Sequence, residues 1–134
     1  MFMDMIRQMD MSYSYKPVLI KAVLLYADER GRINLEDIVS YFKSYYEGRR
    51  STGLPVEKKN SIFAKGGYTD KEAERNILAN PFKRFEDMQM LRHTRTLGIV
   101  QVDESVWKKL SQEEKVEIEK ICDEKLESYY KRLK

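Results

Sequence analysis

A proline in the middle of an otherwise helical run constrains this chain more than any other feature. Thr69–Val102 reads TDKEAERNILANPFKRFEDMQMLRHTRTLGIVQV. Thr69 and Glu72 have the spacing of a capping box, in which the hydroxyl accepts from the third residue's amide and the carboxylate reaches back. Ala73, Ile77 and Leu78 form an inner face, while Lys71 and Arg75, four apart, share an outer one. Pro81 has no amide donor and suits a first helical position with Asn80 as its cap. Two helices meeting at Asn80-Pro81 are therefore predicted, the second with Phe82, Phe85 and Met88 inward and Lys83 and Arg84 outside. Met90–Thr94 and Ile99–Val102 are β-capable segments around Thr96-Leu97-Gly98, which supplies a glycine to turn on. Leu91, Ile99 and Val102 are the expected core contacts, with Arg92, His93 and Arg95 at or beside the tip. Helix, helix, hairpin is the order of a winged helix-turn-helix, with the hairpin as the wing.

The preceding chain fits that order. Tyr13–Arg30 reads as a core helix with Ser14 placed to cap it, Pro17 in the first turn and Gly31 as its C-terminal cap. Val18, Leu19, Ala22, Val23, Leu25 and Tyr26 cover most of its circumference, which places it centrally in a fold. After a short extended link through Ile33, Asn34 is the expected cap of a second helix, whose Leu35, Ile38, Val39, Phe42, Tyr45 and Tyr46 recur three and four apart. Many winged-helix domains begin this way, with the Ile-bearing link as a strand that pairs with the hairpin. Beyond the hairpin, Asp103 or Glu104 starts a short helix holding Val106, Trp107 and Leu110. Ser111 and Glu114 then make a second capping box for a long one. Its stripe of Val116, Ile118, Ile121, Cys122, Leu126, Tyr129, Tyr130 and Leu133 suits packing across the domain or against a second copy. The expected fold is mainly α, a winged-helix-like helical domain with a small β-hairpin and a long C-terminal helix. Residues 13–134 form that single domain, and 1–12, with five of the seven methionines, are a leading segment.

Charge is distributed unevenly. The net charge is only +3, but residues 49–95 hold eleven Lys/Arg against six Asp/Glu, whereas each flank is −1. A basic middle fits a phosphate-facing surface. Its candidate contacts are Arg49, Arg50, Lys58, Lys59 and Lys65 in the irregular stretch from Gly48 to Tyr68, Lys71, Arg75, Lys83 and Arg84 on the helices, and Arg92, His93 and Arg95 on the wing. Asn76 is placed to read an adenine edge. Amides near Gly66-Gly67 would suit a phosphate, and a solvated connector pinned by Ile62, Phe63 and Tyr68 accounts for the loop equally well.

Catalysis finds little support. His93 is the only histidine, no H-x-x-x-H or H-E-x-x-H spacing occurs, and no nucleotide-binding P-loop is present. Cys122 falls at an apolar helical position, as a buried reduced thiol would. A single cysteine suits a reducing cytosol. No apolar run is long enough to span a bilayer. The chain reads as a cytoplasmic, non-enzymatic module without cofactor or metal and with duplex DNA as its partner. The alternative is a protein–protein adaptor, dimeric through the Ser111–Lys134 helix.

Two segments carry a family resemblance. Tyr15-Lys16-Pro17-Val18-Leu19-Ile20-Lys21-Ala22-Val23-Leu24 resembles the opening of small domains attached to bacterial restriction and defence proteins, some beside HNH nucleases and others behind superfamily-2 helicase motors. Asn80-Pro81-Phe82-Lys83-Arg84-Phe85-Glu86-Asp87-Met88 is similar to a recurrent piece of the helicase-attached kind. The resemblance implies a DNA-binding or target-recognising accessory domain of a larger enzyme. The nuclease and motor motifs themselves are absent from this sequence.

Overall fold

The structure, a computed structural model, describes residues 2–133. It is a mainly helical, winged-helix-like fold with one small sheet. The core is built on helix α2 (Tyr15–Tyr26), α3 (Leu35–Ser51) and the long α8 (Gln112–Leu133). Val18, Leu19, Ile20, Ala22 and Val23 of α2 are all buried, and so are Ile38, Phe42 and Tyr46 of α3 and Ile118, Ile121 and Cys122 of α8. An ion pair of 2.5 Å between Lys21 and Asp123 ties α2 to α8 at the edge of this core.

Strands β1 (Arg32–Asn34), β2 (Leu91–Thr94) and β3 (Ile99–Val102) form an antiparallel sheet in the order β1-β3-β2. Ile33 lies opposite Val100, and Leu91 opposite Val102. The Ile33 link is thus a strand paired with the hairpin, as expected. Within β3 the buried residues are Val100 and Val102, so Ile99 is the partly covered neighbour and Val100 the core contact that the sequence reading left out. Period-two alternation allows only one of the two to face inward.

Several helix ends differ from expectation. Helix α2 stops at Tyr26 with Ala27 extended (φ −64°, ψ 137°). Asp28 captures the chain there, its carboxylate accepting from the Arg30 and Arg32 amides at 2.9 Å each. Gly31 (φ +80°) closes that turn and does not cap a helix. Leu25 and Tyr26, counted as core, are exposed. Asn34 stands at the cap position of α3 without a side-chain cap bond, and Asn80, the other expected cap, lies inside a distorted turn instead. Asn80 is extended (φ −169°, ψ 113°). It interrupts a wide helical turn, Leu78–Phe82, between α5 (Asp70–Ile77) and α6 (Lys83–Asp87). The break falls where Pro81 demands it, and Phe82 and Phe85 turn inward as expected, but Met88 is exposed.

Both capping boxes are formed. Thr69 accepts from the Glu72 amide at 3.1 Å and Glu72 answers at 2.8 Å. Ser111 and Glu114 repeat the arrangement at 3.1 and 2.9 Å. The short α7 (Glu104–Lys109) precedes the second box and buries Trp107. Between α3 and α5 the irregular stretch holds one further turn of helix, α4 (Ile62–Lys65). Phe63 is its anchor, stacked on Tyr46 at 4.7 Å between ring centres. The first residues also fold onto the core: α1 (Phe2–Gln8) buries Phe2 and Ile6 and packs along α8.

Candidate nucleic-acid interface

The basic middle divides into three parts with different fates. In the loop, two of the five cations are held by the fold itself. The Arg49 guanidinium lies 3.5 Å from the centre of the Tyr130 ring and donates to the Pro55 carbonyl. Arg50 donates to the Phe63 and Ala64 carbonyls and to Glu47. Those carbonyls end α4, where a helix attracts positive charge. Lys58 sits 4.9 Å over the Tyr13 ring. Lys59 and Lys65 are exposed and form no salt bridge among the described residues.

The helical part is not basic. Across residues 70–87, Lys71, Arg75, Lys83 and Arg84 face Asp70, Glu72, Glu74, Glu86 and Asp87, a net charge of −1. Lys83 is bonded to Asp87 at 2.9 Å, which with Glu86 holds its ammonium above the ordinary lysine range. Lys71, Arg75 and Arg84 are exposed and form no salt bridge among the described residues. Asn76 is compromised as a base reader, because its Oδ1 is buried without a hydrogen-bond partner. A bidentate grip on adenine needs both amide atoms.

On the wing, alternation along β2 separates the candidates. Leu91 and His93 turn toward the protein, His93 edge-on to Phe82 at 6.2 Å. Arg92 and Thr94 face solvent. Arg92 lines a cleft that also holds Glu86, Asp103 and Glu104. The Asp103 carboxyl lies below its usual range, chiefly through the Ser105 hydroxyl and the Val106 amide, with Arg92 adding to the effect. Arg95, in the turn itself, is exposed and has no acid bonded to it among the described residues.

The loop and the wing stand at opposite ends of α3. The Leu35 amide, at its start, donates to the Gly98 carbonyl of the wing tip at 2.8 Å. Arg49 and Arg50 lie in its last turn. Seventeen residues of helix at 1.5 Å each place these ends about 25 Å apart. The fold therefore keeps the two basic surfaces distinct.

A polar cluster that sequence reasoning missed lies beneath the loop. Glu57 is only 8% exposed. It accepts from the Ser14 amide at 2.8 Å, from the Ser14 hydroxyl, from the Lys58 amide and from the Tyr129 hydroxyl. Ser14 stands at the cap position of α2 without capping through its own side chain. The carboxylate of Glu57, 43 positions away in sequence, holds the Ser14 amide just ahead of the first turn, near the positive end of the helix dipole. Tyr46 joins through Ser14 at 2.6 Å, Tyr130 donates to the Val56 carbonyl at 2.9 Å, and Tyr15 pairs with Ser61. Burial pushes the Tyr46, Tyr129 and Tyr130 phenols well up and that of Tyr15 to about 12. Every member is satisfied from within the chain, so the cluster serves as an anchor for the loop. The one sequence signal was Glu57 as a lone acid among five cations.

Burial likewise pushes the Cys122 thiol up to about 12, far from the thiolate a nucleophile requires. Among the described residues no group of three or more His, Cys, Asp or Glu side chains is arranged to hold a metal ion. No helix among them is long and apolar enough to cross a membrane. Comparison of the chain with protein-family models, with curated proteins and with solved structures finds no match.

Proposed function

We propose that this chain is a DNA-binding accessory module that grips duplex phosphates without carrying out chemistry of its own. The observation that carries the reading is the β1-β3-β2 sheet, whose hairpin follows the α5–α6 pair and projects Arg95 at its tip. In winged-helix readers such a hairpin and the helix before it address the duplex together. Support comes also from Lys59, Lys65, Lys71, Arg75, Arg84, Arg92 and Arg95, which are exposed and form no salt bridge among the described residues. The acidic balance of residues 70–87 favours phosphate contacts over a helix laid along the major groove, because acids beside the phosphates would oppose close approach. The resemblance of Tyr15–Leu24 and Asn80–Met88 to helicase- and nuclease-attached domains of restriction systems supports the same role within a larger assembly.

Gel-shift titrations of a duplex at two salt concentrations test it. With about four phosphates neutralised, affinity falls roughly a hundredfold between about 50 and 200 mM salt. Absence of binding at low salt, or binding indifferent to salt, overturns the reading. Pairing of two copies through the last helix is a weaker reading. Most of the α8 stripe, from Ile118 to Tyr130, is already buried within the chain, and Val116 alone of its apolar residues is exposed.

A further inference from the structure

Two of the most exposed apolar side chains, Leu25 and Val116, come together across one groove. Leu24, Leu25 and Ala27 at the end of α2, Trp107 of α7 and Val116 of α8 line a groove of about 350 Å³. Leu25 and Val116 are 63% and 58% exposed, although both belong to helices whose other apolar residues are largely buried. Asp28, Glu29 and Glu119 stand on the rim, with Lys115 the only cation among the lining residues. That lysine is already engaged, its ammonium 4.1 Å from the centre of the Trp107 ring. Asp28 is engaged too, by Arg32 and the turn amides. Glu29 and Glu119 form no salt bridge among the described residues.

We infer that this groove is a docking site for a basic amphipathic segment of a partner protein. An apolar side chain of the partner would cover Leu25 and Val116 while its lysines or arginines meet Glu29 and Glu119. The choice of occupant rests on charge. An acidic rim on a chain of net charge +3 selects a cationic ligand and repels nucleic acid, so the groove lies outside the proposed DNA contacts. Helix-in-groove recognition combines such an apolar anchor line with flanking charge.

The test titrates the full chain with two synthetic helical peptides of about four turns, one of leucine and lysine and one of leucine and glutamate in the same pattern, neither containing tryptophan. Trp107 is the only tryptophan and lines the groove, so its emission reports binding directly. The lysine peptide is expected to bind with an affinity at least about tenfold above the glutamate peptide, a difference near 1.4 kcal/mol. Leu25→Asp with Val116→Asp should weaken it at least tenfold while leaving the thermal midpoint and the DNA gel shift unchanged, since both positions are exposed. Glu29→Lys with Glu119→Lys should reverse the preference between the peptides. Equal affinity for the two peptides, no binding, or unchanged binding by the aspartate double variant overturns the inference. A concentration-dependent dimer in light scattering that the same variant dissolves would make a second copy the occupant and overturn it as well. Loss of DNA binding elsewhere leaves this outcome unaffected.

Discussion

Gly31 shows how one residue can satisfy two demands. Its φ of +80° lies where side-chain-bearing residues are strained, and a Cβ there would sit 3.0 Å from Cγ of Trp107. The Trp107 indole is fixed in turn by donating to the Asp28 carbonyl at 3.0 Å. Gly31→Ala combines left-handed strain with overpacking and should cost about 2–4 kcal/mol in urea unfolding; a cost below about 0.5 kcal/mol would refute that account. The sequence suggests Gly31 as a helix cap, which it is not, and the reason it is needed belongs to Trp107, 76 positions later in the numbering. The tyrosines around Glu57 make a second residue-level prediction. Their phenols stay neutral in the fold above the usual value of 10.0, to about 12 for Tyr15. The unfolded chain therefore loses these protons first. Their contribution to stability is complete below pH 10 and is lost as pH rises from 10 toward 12. The melting temperature should fall across that window, and Tyr15→Phe should make the fall shallower.

Helix ends separate what was readable locally from what was not. Both capping boxes were legible because their partners lie three residues apart, within reach of any helix that starts there. Thr69→Ala should cost about 1 kcal/mol in chemical denaturation, whereas Asn34→Ala should cost only a few tenths, because the Asn34 side chain makes no cap bond. Equal losses would show that the difference between the two caps has no energetic weight. Ser14 is the expected cap of α2, yet its side chain makes no cap bond, and its amide and hydroxyl donate instead to Glu57 across the fold. No periodicity in either segment encodes that pairing. The same limit applies to the candidate site. Its excess of cations was plain in the sequence, but only tertiary placement shows that Arg49, Arg50 and Lys83 are occupied and that His93 turns inward from Arg92. Met88 and Val116 fit their apolar stripes and lie exposed because neighbouring elements do not extend over them.

For the molecule as a whole, the length of α3 divides the proposed DNA surface in two. Sites about 25 Å apart with no shared partners act independently. Arg92→Ala with Arg95→Ala should lower affinity about tenfold without moving the melting temperature, and Lys58→Ala with Lys59→Ala should add to it in log affinity, each lost phosphate contact flattening the salt slope by about one. Equal binding by the arginine pair would remove the wing from the interface; strong non-additivity would show that the two surfaces are not separate. The anchoring of Glu57 also has a meaning for how the chain comes to be folded. Synthesis proceeds from the N-terminus, so Ser14 and Tyr46 are already present when Glu57 leaves the ribosome, but Tyr129 follows 72 residues later. Helix α8 also brings Ile118, Ile121 and Cys122 to the core. Until α8 emerges, the nascent domain has an open apolar face and an incompletely bonded carboxylate, so its fold closes only once that helix has left the ribosome.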